Sequence, residues 1–118
     1  MPDNLSLGHK GEQIALRFLK NQGYRFIQSN FRTKVGEIDL IFEDKPFIVF
    51  VEVKTRTHNT QGLPEEAVNF RKISHITKTA QLYIQQNNLS HTPARIDVVA
   101  VEFTTNPPTI RHHKNVTG

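Results

Sequence analysis

The sequence predicts an α/β fold in which a central mixed β-sheet is flanked by helices, with the elements in the order αβββαβ(β). Segments with apolar residues at helical spacing alternate along the chain with short segments rich in Val, Ile and Phe. The run at 47–51 is apolar at consecutive positions, which is typical of a central strand covered on both faces. The length of 118 residues fits one domain, predicted over 1–118 with its core at about 8–112.

The first half of the chain supplies one helix and three strands. Apolar residues recur near helical spacing at 8–21, and Gly23 ends this helix. The predicted strands are 24–28, 36–43 and 47–54. A polar stretch at 29–34 is predicted to connect the first two strands, and 43–46 has the composition of a turn.

The second half supplies a long helix and two strands. The helix is predicted to begin at 64–67, where Pro and two acidic residues suit a first turn, and to end near Asn88. Its basic residues are predicted to form a solvated face: Arg71, Lys72 and Lys78. Strands are predicted at 94–102 and, at a sheet edge, at 109–111. Asp97 is predicted to be a structural residue that pairs with a Lys or Arg, and a supporting role beside the site stays open as the alternative.

Composition narrows the function classes. The absence of Cys excludes a disulfide framework, a thiolate metal site and a cysteine nucleophile. The longest apolar run is far too short to cross a membrane, so we expect a cytoplasmic protein without membrane contact. A formal net charge of +4 is compatible with a polyanionic partner. The histidines share no ligand spacing, so no histidine metal site is predicted.

Charged residues collect on one side of the predicted hairpin formed by the second and third strands. Because side chains alternate along a strand, Glu37 and Asp39 share one face of the second strand. The same rule places Glu52 and Lys54 together at the end of an otherwise apolar face of the third strand.

The length of the hairpin loop decides whether these two charged faces meet. A two-residue loop at 44–45 or a four-residue loop at 43–46 brings them to the same side. Asp39 then lies opposite Phe50 and diagonal to Glu52, at a Cα separation of about 7–8 Å. A three-residue loop would set an apolar face beside a charged one, so the hydrophobic pattern disfavours it.

Grouped carboxylates with a lysine suggest phosphodiester hydrolysis. Buried carboxylates repel one another and are costly to remove from water unless they are compensated. A divalent cation would compensate them, and oxygen ligands without Cys favour Mg²⁺ or Mn²⁺. Lys54 is suited to orient or deprotonate an attacking water, or to neutralise developing charge.

Several short motifs in a fixed order resemble those of a known family. The segments 36–41 (GEIDLI) and 51–56 (VEVKTR) resemble the bipartite signature of the PD-(D/E)XK nuclease superfamily, which includes archaeal Holliday-junction resolvases. More closely, the chain resembles the YraN-type family of endonuclease-like proteins over roughly 8–112. Further motifs carry this resemblance: Gly8-x-x-Gly11-Glu12-x-x-Ala15, Asn30-x-Arg32 and Arg95-x-Asp97-Val98-Val99.

The resemblance implies a restriction-endonuclease-like fold, with Asp39 and Glu52 as metal ligands and Lys54 as the catalytic lysine. It also implies Glu12 as a further acidic residue of the site and a third ligand. Where the superfamily's name has Pro-Asp, this chain has Ile38-Asp39. The implied cofactor is Mg²⁺ or Mn²⁺, and the implied substrate is DNA or RNA, with DNA favoured.

Three basic residues flank the hairpin and are predicted to contact phosphates: Arg32, Lys34 and Arg56. A nucleic-acid-binding module that keeps the nuclease fold without catalysis stays open as an alternative, as does a plain interaction protein. A protein partner or a homodimer is also open. Simpler structural roles compete as well, because Glu52 and Lys54 could form a solvated strand end and Glu12 suits a helix dipole wherever it stands in a first turn.

Overall fold

A computed structural model describes residues 6–57, 65 and 68–117. Within that part of the chain, two helices and five strands follow the order αβββαββ, which confirms the predicted order including its final strand. The elements are α1 (Leu7–Asn21), β1 (Arg25–Arg32), β2 (Glu37–Asp44), β3 (Phe47–Arg56), α2 (Phe70–Gln86), β4 (Ala94–Glu102) and β5 (Thr109–His113). Neither of these helices is long and apolar enough to cross a membrane.

The strands form one mixed sheet in the order β1-β2-β3-β4-β5. Neighbouring strands are antiparallel, except that β3 and β4 are parallel. A parallel pair needs a long crossover connection, and α2 lies in the one that joins these two strands. The architecture is therefore the predicted mixed sheet with helices, and it is consistent with an endonuclease-like fold.

The central strand β3 is buried on both faces, as its sequence predicts. Val49 and Val51 belong to the core cluster that contains Ala15 and Leu19 of α1. Ile48 and Phe50 belong to the cluster on the opposite face, where the helix is α2. The residues that α2 contributes there are Ile76, Ala80 and Tyr83. The sheet thus lies between two helices, and its middle strand has no solvated face over most of its length.

Helix α1 approaches the end of β3 unusually closely at Gly11. A Cβ added to this glycine would lie 1.8 Å from Cγ2 of Thr55, so no larger residue fits without movement. Ser6 caps the helix by accepting a hydrogen bond from the backbone N–H of His9 at 3.1 Å. The close approach brings Glu12, the next residue of α1, toward the end of β3.

Strand β1 is longer than predicted, because it runs to Arg32 rather than ending at residue 28. Its second half pairs with β2, with Ser29 opposite Leu40 and Phe31 opposite Ile38. As the edge strand of the sheet, β1 keeps many of its side chains exposed. In this half of the strand Phe31 packs against the core cluster on the α2 side, whereas the polar residues Ser29, Asn30 and Arg32 are exposed and are held by strand pairing, which a hydrophobic pattern does not reveal.

Helix α2 begins at Phe70, so the predicted start at 64–67 is wrong. Glu65 is the one residue of that range in the described part, and it lies outside α2. Asn69 has an extended backbone (φ −95°, ψ −177°), and its side chain accepts from the backbone N–H of Lys72 at 3.0 Å. Asn69 is thus the N-cap that fixes the start of α2. Residues 64, 66 and 67 lie outside the described part. The helix ends at Gln86, close to the predicted end.

The β2–β3 hairpin has an even loop, as predicted, but its register differs by two residues. Asp44 pairs with Phe47 and Ile41 pairs with Phe50, so the loop is 45–46. Asp39 therefore lies across from Glu52 rather than diagonal to it, and the predicted pairing of Asp39 with Phe50 is wrong. Asp44 stays in the strand, where its carboxylate is 3.1 Å from the guanidinium of Arg95 on β4, a contact that the local sequence does not indicate.

Asp97 pairs with Arg95, as the sequence predicts. It is fully buried, and its carboxylate accepts hydrogen bonds from Arg95 at 3.1 Å and from the backbone N–H of Asn115 at 3.0 Å. Nε2 of His112 on β5 lies 2.8 Å from the same carboxylate. Burial raises the pKa of Asp97, but these hydrogen bonds outweigh burial and hold the pKa below its ordinary value.

Candidate active site

Asp39 lies just beyond the last backbone pair of β2 and β3, at a point where a side-chain hydrogen bond joins the two strands. The paired residues run from Asp44–Phe47 to Leu40–Val51. Beyond them, the backbone N–H of Val53 donates to Oδ2 of Asp39 at 2.8 Å. The carboxyl group is 9% exposed and is thereby held between the two strands.

Glu52 faces Asp39 and is contacted by two lysines. Its side chain is almost completely buried, and its Oε2 atom lies 3.4 Å from Nζ of Lys54. Residues two apart on a strand share a face, so this pair follows from the alternation along β3. Nζ of Lys72, in the first turn of α2, is also 3.4 Å from that oxygen.

Lys72 is the site residue that sequence reasoning missed: it is 41% exposed, in keeping with the predicted solvated face, but its ammonium group also contacts Glu52. A positive charge in the first turn of a helix is disfavoured by the helix dipole. The first turn of α2 nevertheless contains no acidic residue. The predicted helix start at 64–67 would place Lys72 beyond the first turn, so this signal of a specific partner appears only once Asn69 is seen to cap the helix.

Asp39 and Glu52 are two carboxyl groups buried in contact, which affects the pKa of Asp39. Burial, followed by the negative charge of Glu52, raises the pKa of Asp39 to about 8, although the hydrogen bond from Val53 lowers it in part. The Asp39 and Glu52 side chains also share a hydrogen bond. Near neutral pH the pair therefore carries less than its full negative charge, and the ammonium groups of Lys54 and Lys72 balance what remains.

Glu12 lies near this pair without joining it. Burial raises its pKa; the charge of His9 lowers it, and the charges of Glu37 and Glu52 raise it, so the site acts on Glu12 through space. Among the described residues, no group of three or more acidic, His or Cys side chains is placed to hold a metal ion. The role of Glu12 as a third ligand stays a prediction.

The predicted phosphate-binding residues occupy different surroundings. Arg32 forms an exposed ion pair with Glu37 at 3.0 Å. Lys34 is exposed between β1 and β2, three residues before the first residue of β2. Arg56 is the last residue of β3 and is half-buried, and its backbone carbonyl accepts from the N–H of Phe103 at 2.7 Å. All three are close in sequence to the ends of the strands that carry Asp39 and Glu52.

The chemistry of these donors fits a hard divalent cation. Asp39 and Glu52 offer carboxylate oxygens only, and Mg²⁺ is usually held by one or two carboxylates with water completing its shell. Burial, and after it the negative charge of Glu52, raises the pKa of Asp39, and a bound cation would favour the ionised carboxylate in place of the proton. The residues present therefore fit Mg²⁺ or Mn²⁺.

Fold and site together define a mixed α/β protein in which an acid pair and a lysine meet at the end of the central strand. The chain belongs to the uncharacterised protein family UPF0102, whose family model matches residues 11–101. It is 50% identical over 103 residues to a UPF0102 protein of Clostridium botulinum strain 657, covering 86% of this chain and 84% of that one.

Two further relatives come from other bacteria. A UPF0102 protein of Dehalococcoides mccartyi is 41% identical over 111 residues, which is 94% of this chain and 92% of the relative. One from Caldanaerobacter subterraneus is 48% identical over 96 residues, 81% of this chain and 79% of the relative. In each comparison the similarity thus covers about four-fifths or more of both proteins.

Proposed function

We propose that this protein is a metal-dependent nuclease that hydrolyses phosphodiester bonds in nucleic acid, with DNA as the favoured substrate. One observation carries the proposal: the carboxyl groups of Asp39 and Glu52 face each other across two strands, with the ammonium group of Lys54 3.4 Å from Glu52. Few structural needs call for two buried acids in contact, because each is costly to remove from water.

The residues divide the chemistry among them. Asp39 and Glu52 would hold Mg²⁺ or Mn²⁺, which supplies positive charge beside the phosphate and makes water more acidic. Lys54 is about one-third exposed, so its ammonium group can contact both Glu52 and an incoming phosphate oxygen.

Hydrolysis then follows an in-line course. A water molecule attacks phosphorus opposite the leaving oxygen, and the new P–O bond forms as the old one breaks. The water loses one proton and the leaving oxygen gains one, so the overall reaction consumes only water. Lys54 stabilises the negative charge that builds on the phosphate oxygens.

A cleavage assay with matched variants tests the proposal. Purified protein is incubated with Mg²⁺ or Mn²⁺ and with duplex, branched and single-stranded DNA and RNA. We expect cleavage that falls by at least about 100-fold in Asp39→Asn, Glu52→Gln and Lys54→Met. Glu43→Gln is the matched control, because Glu43 lies on the same strand as Asp39 but pairs with Arg25 at 2.8 Å. Wild-type activity equal to that of the Asp39→Asn variant would refute catalysis at this site.

A non-catalytic nucleic-acid-binding module is the second candidate. It is favoured by the contact of both Lys54 and Lys72 with the same oxygen of Glu52, which leaves the acid pair neutralised by the protein itself. This candidate predicts binding that weakens steeply with salt, without cleavage under any metal condition.

A further inference from the structure

Phe70, the first residue of α2, is exposed to an unusual degree. It is 88% exposed, whereas Val35 at 44% is the one other large apolar residue that is exposed in the described part of the chain. Large aromatic residues are usually buried in cores or interfaces. A ring that stands almost free of the protein is therefore available to a ligand.

The turn that carries Phe70 is anchored at the acid pair. Lys72, two residues further along, reaches Oε2 of Glu52 at 3.4 Å. Helical side chains tilt toward the N-terminus, so Phe70 leans toward the same end of α2. Residues two apart on a helix point about 200° from each other. A chain crossing this end of the helix would meet the ammonium group on one side and the ring on the other.

The charge and shape of this turn suit a nucleic acid strand. The first turn of α2 contains no acidic residue, and Arg71, next to Phe70, is exposed. A groove of about 490 Å³ begins at Phe70 and runs along α2. Ile73, Thr77 and Lys78 are among the residues that line it, so its wall combines apolar, polar and cationic side chains. This volume lies within the roughly 300–1,000 Å³ of pockets that hold small ligands.

We propose that the first turn of α2 holds the substrate strand, with Lys72 on a phosphate and Phe70 stacked on an unpaired base beside the cut. The inference rests on the proposed function and names its substrate class: nucleic acid with unpaired nucleotides, such as a gap, a flap or a branch. A base in an intact duplex is already stacked on its neighbours and offers no face to Phe70. Lys72 is 41% exposed, so its three N–H donors can serve Glu52 and a phosphate together.

Binding measured without cleavage tests this inference separately from catalysis. Fluorescence anisotropy in EDTA compares a labelled duplex with the same duplex carrying a three-nucleotide single-stranded gap. We expect Phe70→Ala and Phe70→Leu to weaken binding of the gapped DNA by about 5- to 150-fold, because stacking on an aromatic ring is lost. Phe70→Trp should retain the affinity, and binding of the intact duplex should change little in any variant.

The variants at Lys72 complete the test. Lys72→Met should weaken the binding of both DNAs and reduce the dependence of affinity on salt. Lys45→Met is the matched control: Lys45 lies in the exposed hairpin turn at the other end of β2, and this variant should leave both quantities unchanged. Phe70→Leu keeps an apolar surface but has no ring. Retention of gapped-DNA binding by Phe70→Leu would therefore overturn stacking and indicate general apolar contact.

Other outcomes also overturn the inference and are distinguishable from failure of the proposed function. If Phe70→Ala lost the same affinity for gapped and for intact DNA, the preference for unpaired bases would be refuted, but the proposed nuclease function would not. Conversion of a dimer to a monomer by Phe70→Ala in sedimentation, with DNA binding unchanged, would assign the groove to a second copy of the chain. Wild-type protein that binds neither DNA would refute the nucleic-acid function itself.

Discussion

Replacing Gly11 with Ala should destabilise the protein although it improves the helix. The new Cβ would lie 1.8 Å from Cγ2 of Thr55, about 2 Å inside the optimal separation of two carbon atoms. Thr55 cannot turn away easily, because its β-branched side chain is stiff at χ1. Overpacking of this kind costs about 1–3 kcal/mol, and Ala returns up to about 1 kcal/mol of helix propensity. At 1.8 Å the clash belongs at the upper end of that range, so we expect a net loss of about 1–2 kcal/mol.

A double-mutant cycle measured by urea unfolding isolates this contact. Thr55→Ser removes Cγ2, after which the nearest Thr55 atom is Cβ at 3.2 Å, so Gly11→Ala should cost far less in that background. Gly8→Ala is the matched control, since no atom lies within 4 Å of its added Cβ and the variant should gain stability. Equal costs for Gly11→Ala in the Thr55 and Ser backgrounds would refute the steric explanation.

Two further predictions concern buried acids. Because the pKa of Asp39 is raised to about 8 from 3.8, the folded state binds a proton that the unfolded state has lost between these values, and stability should fall as pH rises across that window. The Asp39→Asn variant should lose this pH dependence, and its free energy of unfolding in urea at pH 9 should exceed that of wild type by at least ~1 kcal/mol. If the free energies of unfolding of the two proteins changed in parallel with pH, the raised pKa would be contradicted. Asp97→Asn should cost about 3–5 kcal/mol, because it removes the buried charge partner of Arg95 and leaves only the more exposed Asp44. Asp44→Asn, at the exposed contact of the same arginine, should cost about 1 kcal/mol or less. Equal costs for these two variants in urea unfolding would contradict the importance of burial.

The grouping of Asp39, Glu52 and Lys54 on one side of the hairpin was predictable from the alternation of side chains along each strand. Alternation along β3 places Glu52 and Lys54 on one face, and an even loop is enough to bring Asp39 to the same side. The register itself was not predictable, because a shift of two residues leaves every side chain on its predicted face. Asp44 extends β2 toward the turn, where it contacts Arg95 of β4, and that partner is distant in sequence.

Lys72 and the limits of β1 and α2 depend on tertiary contacts. The polar half of β1 is a strand because β2 offers it backbone partners, and α2 starts where Asn69 caps it rather than where Pro and acidic residues suggested. Only the packing of α2 across the sheet shows that Lys72 reaches Glu52. Periodicity along the chain therefore sufficed for the order of elements and for the faces of β3, since both arise from the geometry of single strands and helices. On β2 alternation holds for Leu40 and Phe42, but Ile38 joins Ile41 in the cluster on the other face. Contacts between distant segments settled the register, the ends of elements and the second lysine, because those depend on which groups meet once the chain is folded.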